Sequence, residues 1–399
     1  MITVKQADIL LQSIEIDWGV CSIDINDSEG EVLRETIISD RDFPPFDRVA
    51  MDGYALSFTA WEEGGRTFTI QEEQKAGDPQ ITLKNKLYCI GVSTGGILPE
   101  GCDCVIKKED ILRQPQLIEI PKSISLKLNQ NIHHQGSDYP KKTILLRSGV
   151  VISPTEIGIL ASVGKHTVHV SKKPKIAVIA TGNELVPIED TPKNYQIRLS
   201  NSYVIQSALK LNKFYDVDCF QLKDDYGLIE KSLETYLSKY DVLVFSGGVS
   251  AGNFDFIPKA LTEAGVKEIF HKIKQRPGKP LWVGKKEHRL IFGLPGNPVS
   301  AITCLYRYIL PNLNRLLRKT LGEQETIKLA APIEFKKSLT LLNPVKITNI
   351  DGTCWGTPIA TNGSGDLVSL TKSDGFIECE AERDSFPKGA LMRVYKWRN

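Results

Sequence analysis

The sequence predicts a multidomain α/β and β protein. Its parts are a central doubly wound α/β domain, a β-rich inserted module, a small helical and β linker domain, and a small β-barrel-like domain at the C-terminal end. Three observations carry this expectation. Between 173 and 322, apolar runs such as KIAVIATG (175–182), DVLVFSGG (241–248) and HRLIFGLPGNP (288–298) alternate with amphipathic stretches such as YGLIEKSLETYL (226–237). That alternation marks a parallel sheet covered on both faces. On either side of it the texture changes to short alternating runs broken by Gly, Pro and Asp, the mark of β modules. Finally, 399 residues are too many for one ordinary core.

The elements follow in chain order. Thr3-Val4-Lys5-Gln6 reads as a capping box, with Ile9, Leu10 and Ile14 at helical spacing behind it. This helix is too short to stand alone and is expected to pack with 141–172, giving a discontinuous linker and dimerisation domain of 1–22 plus 141–172. In 23–140, FTIQEE, KLYCIGV, CDCVIKKED and QLIEIPK read as strands. VVISPTEIGILASVGKHTVHV (150–170) offers a helix from near Pro154 to Gly164 and then a strand. In 173–322, Ser200 is placed to cap a helix carrying Tyr203, Val204, Ala208 and Leu211; VDCFQL is a strand and FIPKALTEAG a helix. In 323–399, IKLAAPIEF, PVKITNID, DLVSL, GFIECE and ALMRVYKW read as the strands of a small all-β domain.

Composition narrows the function. Apolar content of 41% and charged content of 25% are those of a globular protein, and a net charge of +2 gives no basic footprint for nucleic acid. No basic segment followed by an apolar one opens the chain, and no run approaches the ~20 apolar residues of a membrane span. The eight cysteines are scattered, so reduced thiols in a cytoplasmic protein are expected. Cys102 and Cys104 are spaced C-x-C, which is not a zinc-ribbon spacing, and the six histidines form no metal-binding array.

Three motifs fall at carboxyl ends of the expected parallel strands, where open α/β sheets bind ligands. They are ATGNEL with Glu184; SGGVSAGNFD with Gly247, Gly248, Ser250 and Asp255; and GLPGNPVSA with Pro295, Gly296, Asn297 and Pro298. None has Walker or G-x-G-x-x-G spacing. Each alone also reads as a tight turn or rigid corner; three at one edge favour a nucleotide or other phosphate-bearing ligand. Glu184, Asp224-Asp225 and Asp255 share that edge. Singly they are turn acids, but several carboxylates beside a phosphate site suit a hard cation such as Mg²⁺. HKIKQRPGKP adds Lys272, Arg276 and Lys279, either solvated lysines and arginine or an oxyanion clamp. In FPPFDRVAMDGYAL (43–56), Asp52-Gly53 makes a turn that exposes Asp52; the alternative is a structural turn with Phe46, Met51 and Tyr54 packed beneath it.

With PPFDRVAMDGYAL, STGGILPEGCDCVIKKED, NIHHQGSDY, ATGNEL, LSNS, SGGVSAGNFD, RPGKP, GLPGNPVSA and NGSGDLVSL in this order, the whole chain resembles the MoeA family of molybdopterin molybdenumtransferases, to which the gephyrin E domain is related. The resemblance implies an elongated homodimer of four-subdomain chains and a molybdopterin-binding-type central domain. It implies insertion of molybdate into adenylylated molybdopterin, with AMP release and a Mg²⁺ requirement, and a molybdopterin adenylyltransferase as a pathway partner. The family's functional acids fall on Asp52, Asp138, Glu184, Asp224 and Asp255, its threonine on Thr94, its basic residues on Lys272, Arg276 and Lys279, its corner prolines on Pro295 and Pro298, and its serine on Ser364. Glu184 and Asp255 are the implied Mg²⁺ ligands. Asp52 and Thr94 would face the sheet edge of the other subunit. Two departures stand out: His133-His134 occupy a segment where the family carries arginine, and Lys346 is the basic residue near a second family arginine. The rival readings are an adenylyltransferase-like nucleotide-binding enzyme and a non-enzymatic scaffold. The MDGYAL module argues against the first, and the full set of acids against the second.

Overall fold

The computed structural model describes every residue except 250–255, 321 and 399. The chain divides into two compact units, one of 1–34, 149–153 and 167–399, the other of 35–148 and 154–166. In the second unit a mixed six-stranded sheet runs Cys104–Lys107, Gly53–Leu56, Tyr88–Val92, Thr67–Gln74, Leu117–Glu119, Leu112–Arg113. Tyr54 and Leu56 pack to one side with Phe68 and Ile106, while Ala55, Ile90 and Val105 pack to the other with Val49. Cys89, Cys102 and Cys104 are small buried side chains here, and burial pushes their thiols up to about 12. They are packing groups, not thiolates.

The first unit begins with helix α1 (Val4–Gln12). Its capping box forms as expected: Gln6 N–H donates to Thr3 Oγ1 at 3.2 Å, and Thr3 N–H donates to Gln6 Oε1 at 2.9 Å. Val20–Asp24 pairs antiparallel with Thr167–Ser171, and Val151 packs against the cluster that holds α1. Val4, Ala7 and Leu11 of α1 are buried in the core of the central sheet, in one cluster with Ile205, Leu209 and Leu313. That sheet is built from β1 (Ile176–Thr181), α2 (Asn201–Leu211), β2 (Val217–Leu222), α3 (Tyr226–Lys239), β3 (Val242–Ser246), α4 (Ile257–Glu263), β4 (Lys267–His271), β5 (Trp282–Lys286), β6 (Arg289–Leu294) and α5 (Pro298–Cys304).

The strand order is β2-β1-β3-β6-β5-β4. The first four strands are parallel, and both faces are covered: Ile176 and Val178 point into the core with α1 and α2, Ala177 and Ile179 into the core with α3 and α4. The expected parallel sheet is therefore mixed, because β4, β5 and β6 pair antiparallel. The Lys- and Gly-rich composition of KEIFH and WVGKK hid this edge hairpin. Ser200 does not cap α2; it lies at φ −111°, ψ −36° and makes no side-chain cap bond. Asp225 does cap α3, accepting from Leu228 N–H at 2.9 Å, which leaves Asp224 as the acid of that pair turned to other use.

After a π-helical turn at Leu305–Ile309 and α6 (Leu310–Leu316), the chain enters a closed five-stranded barrel of β7 (Thr326–Leu329), β8 (Thr340–Ile350), β9 (Thr353–Pro358), β10 (Gly375–Cys379) and β11 (Leu391–Lys396). Its order is β8-β9-β7-β11-β10, with β10 returning to β8. DLVSL is not one of its strands: Leu367–Leu370 is a short helix, α7, capped by Asp366. Three apolar residues around one serine gave a strand-like pattern, but the Asp366 carboxylate binds the Ser369 N–H and turns the chain into a helix instead. Gln275 and Arg276 pair with Thr340 and Leu341 of β8, which ties the RPGKP segment to the barrel.

Candidate functional site

Strands β1, β3 and β6 are sheet neighbours, with Ala180 opposite Ser246 and Ser246 opposite Leu294. Their carboxyl-end loops therefore emerge side by side, at the point where the crossovers diverge from β1 toward β2 and β3. A cavity of about 570 Å³ lies on this edge, lined by Thr181, Glu184, Asp224, Gly247, Gly248, Pro295, Gly296, Asn297, Pro298 and the start of α2 at Ser200-Asn201. Gly247 (φ +99°) and Gly248 (φ +67°) hold left-handed conformations, and a Cβ on Gly247 would sit 2.5 Å from the Thr181 carbonyl oxygen. Only glycine fits that position.

The loops are cross-linked by a residue the sequence reading did not single out. Asn201 Nδ2 donates to Ser246 Oγ at 2.9 Å and to the Gly296 carbonyl at 2.8 Å, joining the LSNS, SGG and LPGNP motifs. Thr181 Oγ1 is buried and has no hydrogen-bond partner among the described residues. A buried hydroxyl left open in this way costs free energy unless a ligand or water satisfies it. Asp224 exchanges backbone and side-chain bonds with Asn183 at 3.2 and 3.3 Å, which fixes that acid on the cavity wall. Ser250 and Asp255 lie outside the described residues.

A second cavity of about 490 Å³ adjoins the first and shares Pro280, Pro295 and Asn297 with it. It lies between the central domain and the barrel, lined by Arg276, Lys279, Asn343 and Ser364. Asn297 Nδ2 donates to Ser364 Oγ at 2.9 Å, and Val299 N–H donates to the Ser364 carbonyl at 3.1 Å, so Ser364 is positioned by the LPGNP corner. The loop bearing Ser364 is braced by Asp366, whose hydrogen bonds with Ser369 and Asn362 hold its carboxyl down at about 2. Arg276 and Lys279 are exposed and belong to none of the ion pairs of the described residues. Lys272 lines neither cavity. Nor does Lys346, whose amine is held by Asp374 at 2.8 Å.

Asp52, Thr94 and Asp138 belong to the second unit. Asp52 accepts from Thr94 N–H at 2.7 Å and from Thr94 Oγ1 at 2.8 Å, with Lys108 Nζ 3.9 Å away. The Thr94 backbone and hydroxyl bonds hold the Asp52 carboxyl below its ordinary range. The turn is not sealed underneath as one reading allowed: Tyr54 is buried, but Met51 is 41% exposed. Asp138 is met by His133, whose Nε2 lies 2.9 Å from Asp138 Oδ1 while Nδ1 lies 2.8 Å from Arg48 Nη2. A guanidinium only donates, so Nδ1 accepts and Nε2 carries the proton toward Asp138. Arg48 and His133 face each other across a two-residue antiparallel ribbon. In this chain a guanidinium thus reaches Asp138 through an imidazole.

Three family descriptions match the chain in series: MoeA N-terminal region (domain I and II) over 2–164, probable molybdopterin binding domain over 177–315, and MoeA C-terminal region (domain IV) over 326–397. A molybdopterin molybdenumtransferase of Synechocystis sp. is 35% identical over 401 residues, covering 100% of both chains. One of Haemophilus influenzae is 30% identical over 407 residues, covering 99% of this chain and 98% of its own. Crystal structures of the molybdopterin biosynthesis moeA protein of Pyrococcus horikoshii superpose with a TM-score of 0.82 at 29% and 25% identity, covering 100% of each chain.

Proposed function

Because this chain belongs to the MoeA family of molybdopterin molybdenumtransferases, and so is a transferase of molybdenum cofactor biosynthesis, we propose that it inserts molybdate into adenylylated molybdopterin with release of AMP, and that two adjoining cavities divide the two substrates. The observation that carries this is the pairing itself. A glycine-lined cavity at the sheet edge shares a wall with a cavity bearing two cations that the described part of the fold leaves without ion pairs.

The nucleotide-capped pterin occupies the first cavity. Its phosphates approach the Gly247–Gly248 backbone and the start of α2, where unsatisfied N–H groups favour an anion. Thr181 Oγ1 gains there the partner it lacks among the described residues. Molybdate occupies the second cavity, between Arg276, Lys279 and the Ser364 hydroxyl. The shared wall at Pro295 and Asn297 brings the oxyanion next to the pterin, so two anions that repel in water are held together by fixed charges and dipoles.

Mg²⁺ fits this donor set in a limited way. Among the described residues no three His, Cys, Asp or Glu side chains group as metal ligands, but Glu184 and Asp224 line the same cavity, and Mg²⁺ needs only one or two carboxylates beside phosphate oxygens and water. Glu184 is the acid we assign to it with Asp255. When bound, Mg²⁺ neutralises charge on the phosphoanhydride. Asp52, Thr94 and Asp138 complete the site from a second copy of the chain in a homodimer, in which two carboxylates held by Thr94 and His133 are presented outward. The enzyme works in the cytoplasm, a reading supported by eight free thiols, and receives its substrate from a molybdopterin adenylyltransferase.

The test is AMP release from adenylylated molybdopterin by the purified protein. Release is expected to require both molybdate and Mg²⁺. Release at equal rate without molybdate would point to a simple hydrolase, and no release to a scaffold.

A further inference from the structure

The Gly247–Val249 turn forms the floor of the sheet-edge cavity, and two consecutive left-handed glycines make it conformationally permissive. Its entry is secured by the sheet. Gly247 N–H donates to the Leu294 carbonyl at 3.0 Å, and Ser246 Oγ is held by Asn201. Its exit, at Val249, has a different anchor. His271 Nε2 lies 3.0 Å from the Val249 carbonyl oxygen, and an acceptor oxygen requires that this nitrogen carry the proton. The Val249 side chain is buried against β6, where a Cβ on Gly293 would come within 2.6 Å of Val249 Cγ1. Among the described residues, the exit rests on one apolar seat and one side-chain hydrogen bond.

That bond comes from outside the cavity-lining motifs. His271 is the last residue of β4, paired with Trp282 of β5, and its successor Lys272 turns away in a left-handed conformation (φ +69°). The edge hairpin therefore has a role beyond closing the sheet, since it delivers an imidazole to the back of the glycine turn.

We propose that His271 is a positioning residue: it fixes the exit of the Gly247–Val249 turn so that the turn's backbone is preorganised for the phosphate-bearing substrate. The inference rests on the assignment of that substrate to this cavity. The imidazole touches no substrate; it acts through the Val249 peptide. Loss of the bond removes the partner that the described residues give this buried carbonyl, and lets the glycines sample other conformations before binding. The cost falls on binding, because the turn is re-ordered each time substrate enters.

The experiment compares wild type with His271→Leu and His271→Gln by two readouts. One is the KM and kcat of molybdate-dependent AMP release from adenylylated molybdopterin; the other is amide hydrogen exchange over 244–249. Leucine is expected to raise KM about tenfold, the effect of one lost buried hydrogen bond, with kcat changed less than about twofold, and to speed exchange at Gly248 and Val249 by a similar factor. Glutamine, whose amide nitrogen reaches as far as Nε2, is expected to restore both. Unchanged KM and exchange in the leucine variant, or a glutamine variant as impaired as leucine, would overturn the proposal. If wild type releases no AMP, the substrate assignment fails, and the exchange data still decide whether His271 fixes the turn.

Discussion

Arg276→Ala combined with Lys279→Ala is expected to lower kcat/KM for molybdate by about 10²- to 10⁴-fold. Hydrogen bonds to charged groups contribute about 1.5–3 kcal/mol each, and the two side chains are the cations lining the barrel-side cavity. The fold does not depend on them: both are exposed and outside the ion pairs of the described residues. Stability is therefore expected to change by no more than about 0.5 kcal/mol for each substitution, measured by denaturant unfolding beside the steady-state assay. Arg276→Lys is the informative control. It keeps the charge but loses the planar fork, so partial recovery shows how much of the effect is bidentate recognition.

The second large effect is on stability. Arg307 lies in the π-helical turn and is 8% exposed. Its Nη1 and Nη2 donate to the two Asp8 oxygens at 2.9 and 2.8 Å, its Nε donates to Glu378 Oε2 at 2.6 Å, and its guanidinium lies 4.9 and 5.1 Å from the ring centroids of Tyr308 and Tyr395. One side chain thus joins α1, the helix after the central sheet and the barrel strands β10 and β11. Burial alone would lower the pKa of this guanidinium, but the Glu378 charge raises it overall, so it stays charged. Arg307→Leu leaves Glu378, 5% exposed, as an unpaired buried carboxylate and is expected to cost about 3–5 kcal/mol in urea unfolding. Adding Glu378→Leu is expected to recover most of that loss, because the cost comes from the stranded charge. Equal stability of the single and double variants would show instead that the aromatic stacking carries the effect.

Much of the fold was legible because local signals agreed with global packing. The strands of the central sheet are apolar on both faces, and the Thr3 capping box forms from adjacent residues. What was not legible depends on distant partners. Asn201 is an ordinary helix-start residue until Ser246 and Gly296, 45 and 95 residues on, come within reach. His271 sits in a Lys-rich stretch whose strand character is set by pairing with Trp282. Ser200 had the right chemistry for a cap but not the backbone, since the cap requires extended φ/ψ. DLVSL shows the converse, a strand-like composition overruled by one well-placed aspartate. In the candidate site, spacing picked out the three sheet-edge loops. It gave no hint that Lys272 and Lys346 would face elsewhere while Arg276 and Lys279 line one cavity, because that depends on the two-residue pairing of Gln275-Arg276 with the barrel.

The division of labour between the two cavities is the central claim, and locating an oxyanion tests it directly. Tungstate has the shape and charge of molybdate and scatters anomalously, so a crystal soaked with it and AMP reports where the oxyanion binds. The expected result is a tungsten peak between Arg276, Lys279 and Ser364, with AMP at the sheet edge beside Gly247 and Gly248. A tungsten peak on the glycine turn, with the barrel-side cavity empty, would contradict the account.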